Sequence, residues 1–152
     1  MLFGGTGSES FNLNMPDFYP DRLESGTLSY PAVVSLGEGA LYLEKNLARH
    51  GEKTLELTRA LYEGLSKIAG VRLFSKPNPY GIIALSLESM QSELAAFRLS
   101  DEYGICVRGG LHCAPLMHKA LESDGLIRVS VSPFNMLSEC DAFLRAITVL
   151  AK

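Results

Sequence analysis

The sequence predicts an α+β fold of two layers, in which helices cover one face of a small mixed sheet. Segments with a helical spacing of apolar residues alternate along the chain with short runs of strand-forming residues. The chain has 152 residues, of which 47% are hydrophobic and 20% are charged. A chain of this length and composition can bury a core without disulfides or metal ions.

Residues 1–30 lack a sustained pattern and are expected to form an extended arm. The segment contains four glycines and two prolines, which disfavour regular structure: Gly4, Gly5, Gly7, Gly26, Pro16 and Pro20. Such a long irregular stretch is uncommon inside a compact domain and usually indicates a function, disorder or a missing neighbour. The sequence therefore predicts an arm at 1–30, which attaches to something else, and one packed domain at 31–152.

Helices and short strands are expected to alternate through the packed domain. Pro31 suits the first turn of a helix over 31–49, and leucines at helical spacing predict a second helix over 52–68. Branched or alternating apolar residues then predict four strands, at 71–75, 81–87, 105–108 and 126–131. Three further helices are predicted: one from Ser89 or Ser92 to Tyr103, one over 115–121, and one from Ser138 to the end of the sequence.

Charge and cysteine content exclude several classes of function. A net charge of −3 argues against nucleic-acid binding, which needs a basic surface. No apolar run approaches the roughly 20 residues of a membrane span, and the first residues lack the features of a signal peptide. The three cysteines match no zinc pattern. We therefore expect no metal site, and a cytoplasmic protein whose cysteines are thiols.

The segment RGGLHCAP at 108–115 carries the strongest sign of chemistry. Two glycines allow the backbone to turn tightly and to bring the thiol of Cys113 close to another surface. A thiolate is the nucleophilic form of cysteine, and positive charge or a helix N-terminus favours it. Arg108, His112 and a helix beginning near Pro115 would each do so. Cys113 is therefore a candidate nucleophile, with a buried inert cysteine as the alternative.

Other reactive residue types have ordinary interpretations beside functional ones. Cys106 and Cys140 are interpreted as structural, and His118 as a surface or core-edge residue. Arg128 lies in the strand-like run LIRVSVS, where it is either exposed on a polar face or able to pair with a carboxylate. The GGTGS segment at 4–8 is a flexible arm or an anion-binding loop, and it lacks the rest of a Walker A motif.

Four segments together resemble the C-terminal part of the cysteine desulfurases, pyridoxal-phosphate enzymes of the class V aminotransferase group. They are GGTGS, RLESGT at 22–27, YGICVRGGLHCAP at 103–115 and IRVSVSPFN at 127–135, and they occur in the order of that family. The form Arg-x-Gly-x-His-Cys resembles the branch with a short cysteine loop, which includes selenocysteine lyases. The fold implied is the small C-terminal domain of such an enzyme.

The resemblance implies roles for individual residues. Cys113 would be the catalytic nucleophile, which takes sulfur from L-cysteine and carries it as a persulfide. Arg128 would bind the substrate carboxylate, with Arg108 and His112 in the same pocket. Thr27 would contact the cofactor phosphate of the partner subunit in a homodimer, and Gly4, Gly5 and Thr6 would border the same active site. The resemblance thus implies that the arm at 1–30 serves a dimer and active-site interface.

The lysine that binds pyridoxal phosphate in this family lies upstream of GGTGS, and no lysine here occupies that setting. The resemblance therefore implies a missing large cofactor-binding domain, a possible sulfur-acceptor protein, no covalent cofactor on this chain, and no activity of the chain alone. Three alternatives stay open: a selenocysteine lyase or another class V aminotransferase, a non-enzymatic binding module, and a truncated fragment.

Overall fold

The computed structural model describes residues 4, 5, 7, 9 and 11–152 of the chain. The chain forms two compact units, Met1–Lys45 and Asn46–Lys152. The predicted division at residue 30 between arm and packed domain stays a prediction. No described helix is both long and apolar enough to cross a membrane.

In the first unit, irregular backbone precedes the long helix and contains a short 3-10 helix at Asp21–Leu23. The two glycine-containing segments of this unit lie side by side, since the Gly26 amide donates to the Gly5 carbonyl at 2.7 Å. A Cβ added at Gly4 would meet the Ser25 side chain, and the φ of 152° at Gly4 is one that residues with side chains rarely adopt, so glycine suits this approach. Contact between these segments gives the irregular backbone a defined local arrangement.

Helix α1 (Tyr30–Leu65) is one continuous helix of 36 residues, so the prediction of two helices is wrong. Gly51 lies at the predicted break but continues the helix. An internal glycine costs about 1 kcal/mol relative to alanine, yet it keeps the N–H that the hydrogen-bond ladder requires. No proline lies between Pro31 and Leu65 to remove such a donor.

The sheet has three strands, β1 (Val71–Leu73), β2 (Ile82–Leu87) and β3 (Ile127–Ser130), in the order β1-β2-β3. Both pairs are antiparallel, so the predicted mixed sheet is wrong for the part of the chain that the structure describes. The run at 105–108, predicted to be a strand, contributes a single antiparallel bridge between Arg108 and Arg128. Gly110, with a φ of 97°, then turns the chain and ends any regular ladder.

The remaining helices are α2 (Ser92–Tyr103), α3 (Pro115–Ala120) and α4 (Leu137–Leu150). Gly104 closes α2 in the left-handed conformation, with a φ of 65°. One cluster of buried side chains joins helices α1, α2 and α4 to the inward-facing residues of β2 and β3; its largest members include Leu57, Leu61, Leu85, Leu99, Ile127 and Ile147. The predicted α+β fold of two layers is confirmed.

Candidate functional site

The segment at 108–115 forms a loop that contains Cys113, called the cysteine loop below. Its two glycines, Gly109 and Gly110, pack this loop against the start of α2. A Cβ added at Gly109 would lie 2.4 Å from the Ser92 carbonyl oxygen, which leaves no room for a side chain. The Gly110 amide donates to Ser92 Oγ at 3.1 Å. Gly125, with a φ of 143°, approaches the same hydroxyl from the chain segment before β3. These glycines bring the loop backbone, rather than the Cys113 thiol, against Ser92, so the expected approach of the thiol to another surface stays a prediction.

Both residues of the His-Cys pair adopt the left-handed conformation. The φ angles are 54° for His112 and 57° for Cys113, and each costs roughly 1–2 kcal/mol for a residue with a side chain. Two hydrogen bonds hold the turn: Ala114 N donates to the Leu111 carbonyl at 2.9 Å, and His112 Nε2 donates to the Arg108 carbonyl at 3.0 Å. Strain of this kind persists only where the surroundings fix the backbone.

The Cys113 thiol is exposed at the tip of this turn, so the alternative of a buried cysteine does not hold. Arg108 Nη2 donates to Cys113 Sγ at 3.5 Å. Helix α3 begins at Pro115, close to the predicted position. The thiolate is the form of cysteine that attacks an electrophile, and the Cys113 sulfur is accessible to one.

Arg108, which contacts this thiol, lies opposite a second arginine, Arg128. Arg108 and Arg128 exchange backbone hydrogen bonds of 3.1 and 2.7 Å across the bridge. Directly opposed residues of antiparallel segments project to the same side, where like charges repel. Arg128 is half-buried, and its Nε atom is buried with no hydrogen-bond partner among the described residues. A carboxylate placed here would satisfy that donor and offset the repulsion.

The other two cysteines differ from each other. Cys140 is buried, and burial raises the pKa of its thiol, as do the neighbouring carboxylates of Asp141 and Glu139. Cys106 is exposed, although its apolar surroundings in the sequence suggested a structural cysteine. Both line a cleft of about 370 Å³ whose apolar wall includes Phe143.

His118, which the sequence analysis interprets as a surface or core-edge residue, is buried next to the cysteine-containing turn. Its side chain is buried, with 4% of its surface exposed, whereas Leu116 and Met117 beside it are 82% and 59% exposed. Its Nδ1 lies 2.9 Å from Ser123 Oγ, and its ring meets the His112 ring edge-on at 5.6 Å. Hydrophobicity alone predicts the opposite orientation of α3, so only the tertiary structure identifies this histidine.

The residues expected at the cofactor lie in the first unit. Gly5 and Gly26 are hydrogen-bonded as described above, Thr27 follows them with an exposed side chain, and Thr6 lies outside the described residues. A hydroxyl beside a loop glycine with a φ of 86° is compatible with contact to a phosphate group.

No lysine of the chain suits a covalent cofactor link. Lys53 pairs with Glu56 at 3.2 Å, and the other five lysines are exposed: Lys45, Lys67, Lys76, Lys119 and Lys152. A Schiff-base lysine instead needs a site that lowers its charge, such as a desolvated pocket. The residues present fit the edge of a cofactor site but not its covalent anchor.

Comparison with known proteins relates these features to one family. The aminotransferase class-V model matches residues 1–143. A probable cysteine desulfurase from Methanothermobacter thermautotrophicus is 34% identical over 148 residues, which cover 91% of this chain and 36% of that protein. A probable cysteine desulfurase from Synechocystis sp. is 30% identical over 135 residues, covering 84% of this chain and 31% of the relative.

Solved structures give the same result. The apo cysteine desulfurase from Thermococcus onnurineus NA1 matches with a TM-score of 0.76 and 29% identity, over 87% of this chain and 34% of that one. The cysteine desulfurase CsdA from Escherichia coli matches with a TM-score of 0.75 and 26% identity, over 86% and 33% of the two chains. The chain therefore spans about a third of the length of the relatives it matches.

Proposed function

This chain belongs to the class V aminotransferase family, and we propose that it is the part of a cysteine desulfurase that accepts sulfur from the substrate. The observation that carries the proposal is the position of Cys113, an exposed thiol in a strained turn within 3.5 Å of the Arg108 guanidinium. Two relatives named probable cysteine desulfurases, at 34% and 30% identity, support the same activity.

L-cysteine is the proposed substrate, and Arg128 is proposed to bind its carboxylate. The buried Arg128 Nε lacks a partner among the described residues, and a carboxylate accepts from a guanidinium through two parallel hydrogen bonds. Arg108 opposite adds a second cation to the same side, and His112 lies in the same loop. These groups would hold the carboxylate end of an amino acid near the reactive thiol.

In the proposed reaction, the Cys113 thiolate attacks the substrate sulfur and a sulfur–sulfur bond forms. The carbon–sulfur bond of the substrate breaks, and its electron pair stays on carbon, where a proton completes alanine. Both sulfurs reach the disulfide level of oxidation while that carbon is reduced, so no external oxidant is needed, and a persulfide remains on Cys113. Pyridoxal phosphate, when bound, supplies the electron withdrawal that weakens the carbon–sulfur bond.

The lysine and most of the cofactor site are proposed to belong to a large domain, and the active form to be a homodimer. Large apolar side chains in the first half of α1 are exposed and suit coverage by another domain or subunit: Tyr30, Val33, Val34, Leu36, Leu41 and Leu43. Thr27, Gly5 and Thr6 would then border the cofactor of the partner subunit. The chain alone is expected to be inactive.

The test uses the intact enzyme, with this chain joined to its large domain and loaded with cofactor. L-cysteine should yield alanine, and the peptide that contains Cys113 should gain about 32 Da, the mass of one sulfur atom, as a persulfide. A Cys106→Ser variant is the matched control and should show the same gain. Alanine formation without added mass at Cys113 would overturn the proposal.

Substrate comparison separates the nearest alternatives within the family. Faster turnover of L-selenocysteine than of L-cysteine would indicate a selenocysteine lyase, whose loop form this chain shares. Transfer of the amino group to a keto acid, without sulfur release, would indicate an aminotransferase.

A further inference from the structure

His118 is a buried histidine that the proposed reaction does not use. It lies in the short helix α3, where two large apolar neighbours face outward and the imidazole faces inward. A buried polar ring in place of an apolar one requires compensating contacts. Its contacts therefore indicate what the residue does.

One side of the His118 ring is anchored by Ser123. The Nδ1 atom lies 2.9 Å from Ser123 Oγ, and the Ser123 amide donates to the His118 carbonyl at 3.0 Å. His118 and Ser123 are therefore in contact through their side chains and through their backbones. This pair fixes the position of the imidazole at the end of α3.

The other side of the ring meets the cysteine loop. The His118 and His112 rings have centroids 5.6 Å apart and planes inclined by 65°, an edge-to-face contact. His112 in turn donates from Nε2 to the Arg108 carbonyl at 3.0 Å. A continuous series of contacts therefore runs from Ser123 through both rings to the residue whose guanidinium contacts Cys113.

We propose that His118 is a positioning residue that holds the left-handed His112–Cys113 turn and thereby keeps the Cys113 sulfur beside Arg108. Two consecutive residues with side chains adopt φ values near 55°, a conformation that relaxes unless contacts fix it. The edge contact from His118 supplies such a restraint. The biological meaning of this role rests on the proposed function of Cys113, but the role itself can be measured without that activity.

The experiment measures alkylation of the 152-residue chain by iodoacetamide at neutral pH, with the rate at each cysteine read by peptide mass spectrometry. His118→Ala should lower the Cys113 rate about five-fold, because the turn relaxes and the sulfur leaves its exposed position beside Arg108. Cys106 is exposed and should react at an unchanged rate. Cys140 is buried and should stay protected, which shows that the fold is intact.

Two further variants separate positioning from a general structural effect. His118→Phe keeps an aromatic edge against His112 and should hold the Cys113 rate within about two-fold of the original. His50→Ala removes a ring with a similar edge contact elsewhere, to Phe134 at 5.7 Å, and should not change the Cys113 rate.

The double variant tests whether His118 acts through Arg108. Arg108→Ala should itself slow Cys113, and Arg108→Ala with His118→Ala should be no slower than Arg108→Ala alone. The proposal would be overturned if the Cys113 rate in His118→Ala were unchanged while Cys140 stayed protected. It would also be overturned if the double variant reacted more slowly than Arg108→Ala by the full factor seen for His118→Ala alone.

Alkylation of Cys140 in His118→Ala would show that this variant unfolds, and a milder substitution would then test the proposal. Ser123→Ala removes only the anchor of the ring, and it should slow Cys113 about two-fold while Cys140 stays protected. No change at Cys113 in Ser123→Ala would then reject the role. Since alkylation needs neither cofactor nor substrate, these outcomes are independent of whether Cys113 ever carries a persulfide.

Discussion

Arg108 and Arg128 face each other across a single antiparallel bridge and exchange both backbone hydrogen bonds, although both side chains are cationic. Only Arg108 has a described partner for its guanidinium, the Cys113 sulfur. Arg128 instead has a buried Nε without one among the described residues. This arrangement leaves a buried guanidinium donor opposite the residue that contacts Cys113, and the proposed substrate carboxylate would satisfy it.

The carboxylate assignment predicts the kinetics of Arg128→Ala in the intact enzyme. Loss of a charge-assisted pair that forms in both the bound substrate and the transition state should raise KM for L-cysteine about 10- to 100-fold and leave kcat nearly unchanged. Steady-state kinetics measure both constants. Arg72→Ala is the control, because that guanidinium lies 4.7 Å from the Phe74 ring and outside the site. An unchanged KM would count against the assignment.

Replacement of the same arginine by methionine tests the structure of the chain without substrate. Arg128→Met removes a buried unpaired donor and the repulsion from Arg108, while it keeps an unbranched side chain of similar length. The free energy of unfolding should rise by about 1 kcal/mol. Urea denaturation of the 152-residue chain measures it, and a clear decrease would mean that the Arg128 side chain has stabilising contacts.

Because Cys113 is exposed, we expect its substitution to abolish activity without changing the stability of the chain. Cys113→Ser in the intact enzyme should abolish sulfur transfer, because serine lacks the nucleophilic sulfur. The midpoint of urea unfolding should change little, since the thiol is exposed. Full activity of this variant would refute the role of Cys113 as nucleophile.

The approach of Gly109 to α2 predicts a large cost for a single methyl group. A Cβ there would lie 2.4 Å from the Ser92 carbonyl oxygen and 2.9 Å from Glu93 Cα, and backbone atoms cannot rotate aside. Gly109→Ala should lower the free energy of unfolding by about 1–3 kcal/mol. Gly39→Ala is the control. A Cβ at Gly39 within α1 would meet no other atom within 4 Å, so this substitution should stabilise the chain slightly.

Glu93 predicts a small dependence of stability on pH. A hydrogen bond from Ser92 Oγ, followed by one from its own backbone amide, lowers the pKa of this carboxyl group. A pKa that is lower in the folded chain than in the unfolded chain means that the carboxylate stabilises the fold above about pH 4.3. That contribution is lost as the pH falls through the folded-state value.

Glu93→Gln should therefore cost stability at neutral pH and much less in acid. Urea unfolding at both pH values measures the difference, and Ser92→Ala is the control background in which the difference should shrink. An equal cost at both pH values would show that the effect is packing rather than charge.

The sequence predicted the helix ends that depend on the backbone preferences of single residues. Gly104 at the end of α2 and Pro115 at the start of α3 act through their own backbone preferences, which a sequence displays directly. The continuity of α1 at Gly51 was not predictable in this way, because the cost of one glycine is small beside the packing of a long helix.

The candidate site followed from the sequence only in part. The RGGLHCAP segment predicts Cys113 and its neighbours as site residues, and the register of the bridge places Arg128 opposite Arg108. That register, and the inward orientation of His118 beneath exposed Leu116 and Met117, depend on tertiary packing. Apolar periodicity carries no information on either.

The two attachments of the cysteine loop also determine how far its sulfur can travel. The backbone is held at Arg108 by the bridge and at Gly110 by the Ser92 hydroxyl, which leaves three residues up to Cys113. Three extended residues span at most about 10 Å, and the left-handed turn shortens that tether further. A sulfur on so short a tether cannot swing far from this loop. Any reagent for Cys113 must therefore approach within the reach of that tether.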